Sequence, residues 1–513
     1  MKKLLCLLLT VFMLLSVASV SLAEEPATFS VLVVRWTETW GEDFENTAFL
    51  KEIGEKTGVN IEWTMIPNGS WSEQKATLIA TGLSSMPDAF FGSISLTDGD
   101  IIPNIDFFVE LTPYITPEIM PNLCAIFGKD PAMKALCTDA DGKIYSLPKK
   151  LPMRPATANE MYINQAWLDE LGLPMPTTYT ELADTLVAFS QMGDGRYGYI
   201  ASSTLDFDLN NLLLPFGVQG SRTWNLMGMN ANNEPYFIPM SDNYKEAVKW
   251  MHDLYARGAI DPEHFTQSAD MVRAKIQNTE QGPKTGITFG WTADSELLGN
   301  ATDYVVVPAV AGPDGNHYVE SDPTFLNYGK NEFVITKNCS DPAKLLTWAD
   351  QFYTDEGSLQ TYYGSIGDGK IKANDDGTYE VLIPDADSGI NLDTSCWTYS
   401  FRDHGPKYMS EEFESKVILP TTEGDGVKLA DDAVNREYVR DTFPVVSYTA
   451  DELDTIAFMS PDVNSYCRQQ YAKWVTNGGI DEEWDAYIEQ LNRMGVEQLV
   501  QVYLDAYERY IAN

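Results

Sequence analysis

The stretch Phe29-Ser30-Val31-Leu32-Val33-Val34 is an unbroken apolar run and reads as a strand buried on both faces. It is followed by Arg35-Trp36-Thr37-Glu38-Thr39-Trp40-Gly41, too polar and too aromatic to continue that strand. Phe49, Leu50 and Ile53 then recur at helical spacing, and Gly58 stands where a helix ends in the left-handed conformation. Val59, Ile61, Trp63 and Met65 alternate as a half-buried strand, a second helix is expected over about 72–82, and Pro87-Asp88-Ala89-Phe90-Phe91-Gly92 is the third strand. Strand, helix, strand, helix, strand with short links defines an α/β fold with a parallel sheet. Such sheets bind ligands beyond the carboxyl ends of their strands. Trp36, Glu38, Trp40, Phe91 and Ser93 follow those ends directly.

The same grammar resumes downstream. Met161-Tyr162-Ile163 reads as a strand, Asn164 as a cap, 165–171 as a helix and Gly172 as its stop. Thr178 and Glu181 have the spacing of a capping box ahead of Leu182, Leu186 and Phe189. Short strands are expected at 195–200, at 285–290 and at Tyr304-Val305-Val306-Val307. Asp341-Pro342 opens a helix whose Leu345, Trp348, Ala349 and Phe352 share one face. Trp484, Tyr487, Ile488 and Leu491 form an apolar stripe that ends at Gly495, and Leu499, Tyr503, Tyr507 and Tyr510 form the next. The chain carries no internal repeat or low-complexity stretch.

Composition narrows the function. The 513 residues carry 35 Lys and Arg against 75 Asp and Glu, a formal net charge of −40, while 44% are hydrophobic and only 21% charged. That apolar content excludes a disordered acidic polymer, and the acid excess argues against nucleic acid or anionic membrane as partners. Lys2 and Lys3, the apolar run Leu4 to Val20, and Ser21-Leu22-Ala23 make residues 1–23 an expected export signal. Cys6 lies too early in that run for a lipid-anchored leader. The five later cysteines, Cys124, Cys137, Cys339, Cys396 and Cys467, are too scattered for a disulfide framework; buried free thiols are expected, with a Cys124–Cys137 bridge as the alternative.

Catalytic signatures are absent. There is no phosphate loop, no Gly-x-Ser-x-Gly elbow and no His-Glu-x-x-His. Acidic pairs such as Glu411-Glu412 and Asp431-Asp432 read as solvated surface in so acidic a chain. Asp139-Ala140-Asp141-Gly142 reads as a turn, and His252, His264, His317 and His404 as structural. Six tryptophans fall in expected loops: Trp36, Trp40, Trp71, Trp224, Trp291 and Trp397. Exposed indoles stack on the apolar faces of sugar rings while polar neighbours take the hydroxyls. Trp63, Trp250, Trp348, Trp474 and Trp484 fit strand or helix periodicity and are expected in cores.

The run from Met161 through Asn164-Gln165-Ala166-Trp167-Leu168-Asp169-Glu170-Leu171-Gly172-Leu173-Pro174, with Pro176-Thr177-Thr178-Tyr179-Thr180-Glu181-Leu182, closely resembles the centre of family 1 extracellular solute-binding proteins of ABC importers, the group that includes maltose-binding proteins. Pro87-Asp88-Ala89-Phe90, Asp141-Gly142-Lys143-Ile144-Tyr145-Ser146-Leu147-Pro148, Thr354-Asp355-Glu356-Gly357 and Gly478-Gly479-Ile480-Asp481-Glu482-Glu483-Trp484 agree with it in the same order. The resemblance implies two hinged α/β lobes of the periplasmic-binding-protein type II fold with the ligand in the cleft between them. The first lobe is expected from 24–150 and 313–390, and the second from 151–312 and 391–513 with its helical C-terminus. Carried over by position, Trp36, Glu38, Trp40, Phe91 and Ser93 become first-lobe contacts, Asp206 and Asn211 second-lobe contacts, and Trp291 a sugar-stacking position; Trp397 and Arg402 join them on local composition. Many relatives hold calcium after the helix that starts near Glu181, but Gln191-Met192-Gly193-Asp194-Gly195-Arg196 is too short and too poor in acid, so neither metal nor cofactor is expected. The reading is an exported, monomeric, non-catalytic carrier that delivers an oligosaccharide to an ABC permease. An oligopeptide carrier and a secreted glycoside hydrolase are the alternatives.

Overall fold

A computed structural model describes residues 26–35, 44–139, 141–202, 208–209, 211–220, 225–321 and 326–512. The chain lays down β1 (Ala27–Arg35), β2 (Val59–Pro67), β3 (Ala89–Phe91) and β4 (Leu147–Lys150), then β5 (Glu160–Asn164) and β6 (Tyr197–Tyr199), a hairpin of β7 (Met227–Met229) and β8 (Pro235–Phe237), then β9 (Thr285–Gly290) and β10 (Tyr304–Val306). It returns with β11 (Tyr328–Ile335) and adds a small sheet of β12 (Ile371–Ala373), β13 (Tyr379–Val381) and β14 (Val417–Ile418).

The first sheet has the order β2-β1-β3-β11-β4. β1 pairs in parallel with β2 and β3, as the strand–helix–strand pattern requires, with Val31 opposite both Trp63 and Ala89. β11 enters antiparallel between β3 and β4 because it arrives from the other lobe. The second sheet, β10-β5-β9-β6, is largely antiparallel for the same reason, with only β6 and β9 parallel. The expected parallel pairing holds for β1 with β2 and β3, and in the second sheet for β6 with β9 alone.

Local signals act as their chemistry dictates. Gly58 closes the helix Ala48–Thr57 with φ 63°. Asn164 accepts from the Trp167 N–H at 2.9 Å and starts the helix Gln165–Leu171. Asp341 caps the helix Pro342–Ala349. The five cysteines after residue 26 are free, so Cys124 and Cys137 form no bridge. Two tryptophans expected in loops stand in helices, and one of them is Trp397, in Leu392–Tyr399. Trp71 lies in the helix Asn68–Thr81 rather than a loop, buried, with its indole N–H on the Ser95 carbonyl at 2.8 Å. The C-terminal stripes form the helices Ile480–Arg493 and Val496–Ala512, but a longer helix, Ala450–Asn477, precedes them and tolerates Pro461 inside it.

Each sheet has its own core. In the first, Trp63, Phe91, Phe333, Trp348, Phe352 and Phe401 pack ring on ring, with Phe91 and Phe401 centroids 4.3 Å apart. In the second, Leu186, Phe189 and Met251 pack with Trp474, Tyr487 and Leu499 from the C-terminal helices. Leu392, Cys396, Phe413 and Val417, assigned from sequence to the second lobe, instead share a core with Leu359 and Tyr362. Phe401 carries that segment into the first core, so packing does not change sides at residue 391.

The chain passes between the sheets at 151–159, at 307–327 and through the helix Asp425–Asn435. Backbone bonds tie these passages together. Ala158 N–H donates to the Glu320 carbonyl at 2.7 Å, Thr157 bridges Ser321, and the Ser321 hydroxyl donates to the Arg440 carbonyl at 2.9 Å.

Trp348 is 1% exposed and touches four other aromatic rings of the first core. Trp348→Ala is expected to cost about 3–5 kcal/mol in a denaturant titration. Trp484→Ala should cost less, because that ring is only half-buried beside Trp474 and Tyr487.

Candidate functional site

At the carboxyl end of β3 the chain turns at Gly92, whose φ of 86° suits glycine. Gly92 N–H donates to the Glu332 carbonyl at 2.8 Å, and Ser93 N–H reaches the Glu332 carboxylate at 3.2 Å. The same carboxylate accepts from Gly405 N–H at 2.8 Å and from Lys149 Nζ at 2.6 Å. Glu332 can reach all of these because β11 shifts register between Gly329 and Phe333, with Asn331 left-handed at φ 63°. Gly405 permits the approach: a Cβ there would lie 2.0 Å from the Phe91 ring.

The turn 402–405 is a dense charged layer against this edge. Arg402 is 4% exposed and grips Asp425 with both terminal nitrogens, at 2.7 and 3.0 Å, while its guanidinium lies 4.2 Å from the Tyr362 ring centroid. Burial alone would lower the Arg402 pKa, but Asp425 raises it well above the ordinary value. Asp403 is half-buried; burial would raise its pKa, yet Arg154, Arg402 and Lys149 hold it down to about 2. His404 is buried with no hydrogen-bond partner for either ring nitrogen among the described residues, and burial with the Lys149 charge pushes it down to about 3. Lys407 is fully buried and donates to the carbonyls of His404 and Gly405; burial and then Lys149 bring it down to about 7.

From the second lobe, β9 ends at Gly290 and presents Trp291, half-buried. Arg154 Cζ lies 4.7 Å and Lys428 Nζ 5.1 Å from its ring centroid. Arg154 also donates to the Tyr362 hydroxyl at 2.8 Å and to the Leu326 carbonyl at 3.0 Å, and stands 3.9 Å from Asp403. The Tyr162 hydroxyl donates to Asp431 at 2.8 Å and to the Trp291 carbonyl at 3.3 Å. Burial raises the pKa values of Asp393, Asp431 and Glu296. Trp397, half-buried in the helix Leu392–Tyr399, meets the His404 ring edge-on at 6.0 Å.

The sequence-derived site residues therefore separate. Ser93, Trp291, Trp397 and Arg402 belong to one connected group, joined through Glu332, the 402–405 turn and Arg154. Phe91 does not: it is 0% exposed at the centre of the first aromatic core, so it supports the site and cannot touch a ligand. Arg402 is committed to Asp425, which makes it a brace. Asn211 lies in the 211–213 turn, where its N–H donates to the Asp208 carbonyl at 3.1 Å. Trp36, Glu38, Trp40, Asp206 and Trp224 lie outside the described residues.

The residues missed from sequence are Arg154, Glu332, Lys407 and the inner face of the helix Asp425–Asn435. Asp425, Lys428, Asp432 and Asn435 are the buried residues of that helix, and all are polar. Their spacing of three, four and three is a helical stripe of the wrong polarity, a signal present in the sequence. Asp432, read as half of a surface acid pair, is fully buried and accepts from Ala156 N–H, Thr157 N–H and the Thr157 hydroxyl at 2.7–2.9 Å. In the 191–196 turn, Lys284 donates to the Asp194 carbonyl, and no group of three metal-ligating side chains occurs among the described residues.

This geometry, two sheets crossed repeatedly by the chain with aromatic and charged groups between them, is that of a two-lobed binding protein. The profile of the bacterial extracellular solute-binding proteins matches residues 38–358, more than half of the chain, and the chain belongs to that family. It is accordingly a solute-binding protein, not an enzyme. It is 29% identical over 508 residues to the fructooligosaccharide ABC transporter substrate-binding protein FusA of Streptococcus pneumoniae, covering 92% of this chain and 88% of that one. The solved structure of FusA in complex with kestose matches it with a TM-score of 0.79 at 25% identity, over 95% of this chain and 100% of the other. An HMO-binding, ABC-transporter-associated solute-binding protein from Bifidobacterium longum infantis shares the fold at a TM-score of 0.80 and 24% identity, over 94% of this chain and 99% of that one.

The Lys407 environment has a consequence for pH. Its pKa falls from 10.5 to about 7 on folding. Between those values the unfolded chain binds a proton that the folded chain has released, so this group makes stability rise with pH across that window. Lys407→Met should flatten the rise. Urea melts of both proteins from pH 7 to pH 10 check this.

Proposed function

We propose that this protein captures a neutral oligosaccharide and delivers it to the membrane subunits of an ABC importer, working as a monomer whose lobes close on the ligand. The observation that carries the reading is Trp291 standing at the end of β9 with Arg154 on its ring and Asp403 beyond. An indole face for the sugar ring, a guanidinium with N–H groups to spare and an ionised carboxylate that only accepts make up the donor and acceptor set that hydroxyl-rich rings need. The relatives that bind fructooligosaccharide and kestose support the choice of ligand class. Trp36, Glu38 and Trp40, which follow β1, and Asp206, which follows β6, complete the proposed contacts with Ser93, Trp291 and Trp397.

The peptide-carrier alternative needs anchors for a main chain and its charged termini; no observation favours it over the sugar reading. A hydrolase would need one carboxyl poised to give up a proton near neutral pH. Asp403 is held too acidic for that role, and the family to which the chain belongs is one of solute-binding proteins.

Titration calorimetry with kestose, longer fructans, other neutral oligosaccharides and a peptide panel tests the reading. Binding of a neutral sugar without turnover supports it; peptide binding or sugar cleavage overturns it. At micromolar affinity, Trp291→Ala is expected to weaken capture about thirtyfold, an anchor worth about 2 kcal/mol. No metal takes part in this reading, so melting temperatures with and without a chelator should coincide.

A further inference from the structure

Arg154 lies on the first passage between the lobes, and no element of either sheet contains it. Its side chain is 8% exposed. The preceding residue, Met153, is left-handed at φ 52°, an unfavourable conformation for a long side chain. Met153 N–H is held by the Glu414 carboxylate at 3.2 Å. This strained turn aims the guanidinium along a line between the two walls of the cleft. One face rests on the Trp291 ring of the second lobe, while NH1 donates to Tyr362, whose core neighbours Leu359 and Leu392 stand on the opposite side. Asp403 supplies charge at 3.9 Å.

We propose that Arg154 is a positioning residue for capture: it fastens Trp291 to Tyr362 and Asp403 and so biases the unliganded protein toward the closed arrangement of its lobes. This rests on the reading that the cleft between the lobes is the ligand site. A ligand that touches both walls shifts the open–closed population only by its differential affinity. A clamp that already favours closure reduces what the ligand must supply. Arginine suits the role because its planar group can stack and donate at once, which a lysine ammonium cannot.

The test uses the full mature chain and Arg154→Met, Arg154→Lys and Tyr362→Phe, each first shown by circular dichroism to be folded. Small-angle scattering without ligand should give a larger radius of gyration for Arg154→Met than for the unmodified protein, with Arg154→Lys and Tyr362→Phe between them. Kestose titration should show Arg154→Met weakened about tenfold or more, the range of a desolvated cation–aromatic contact, and Arg154→Lys weakened less. Folded Arg154→Met that scatters like the unmodified protein overturns the proposal, because a side chain serving stability alone would shift melting and leave the lobe separation unchanged. If the unmodified protein binds no oligosaccharide, the functional reading fails, and the scattering result still decides whether Arg154 holds the lobes together.

Discussion

The structure depends on a carboxylate placed where the chain changes lobes. Asp432 accepts two backbone N–H groups and one hydroxyl from Ala156 and Thr157, all on the first passage, and holds Arg436 at 2.6 Å. Three residues further along its helix, Asn435 donates to Glu160 at 2.7 Å and to the Val307 carbonyl, and accepts from Ala309 N–H. At the other end Asp425 is gripped by Arg402 and Tyr363. One helix is thus pinned to the first-lobe side at its start and to the second sheet at its end. Burying such groups costs several kcal/mol each unless every partner is present. The interaction network therefore does little for net stability, but it admits one arrangement of the three passages, and a wrong one would strand charge.

Glu332 serves the first wall in the same way. It gathers the turn after β3, the 402–405 turn and Lys149 around one buried carboxylate, using a register shift in β11 to do so. The left-handed backbones of Met153, Asn331 and Arg402 fall at these junctions, where neither glycine nor a loop of freer choice has been used. Strain of this kind persists only where surrounding bonds over-determine it. Here the surroundings are the buried ion pairs themselves.

What could be read from sequence follows from this division of labour. The first strand, its helix and the capping residues Gly58 and Asn164 were legible because local rules set them: apolar run, helical period, cap. Trp348 and Trp474 were legible as core from periodicity alone. Phe91 was misread because a residue ending a short strand looks the same whether it faces ligand or core; the ring of Phe401, 310 residues away in sequence, decides it. Trp71 was misread because its helix begins earlier than its apolar spacing suggested. Arg154 and Glu332 were invisible because their partners lie on passages and bulges that no period marks. Asp425, Lys428, Asp432 and Asn435 had a period, but a polar stripe in so acidic a chain reads as surface until the facing helix, strand and loop are known.

The charges in the proposed cleft also bear on why binding need not lead to reaction. Asp403 is kept ionised by three cations, so it can accept hydroxyl protons in hydrogen bonds and cannot donate one at neutral pH. His404, the titratable ring nearest to it in sequence, is buried among lysines and stays neutral, with no carboxylate orienting it as a base. Arg154 and Arg402 remain cationic in spite of burial. Arg154, Arg402, Asp403 and His404 are thus each held in a single protonation state near neutral pH, whereas Lys407 lies beneath the turn and bonds to carbonyls. Proton transfer needs a group poised near the ambient pH and in reach of the ligand, whereas capture and release need fixed donors and acceptors that lose little on reopening. Asp403, Arg154 and Arg402 meet the second requirement through the same buried pairs that deny them the first.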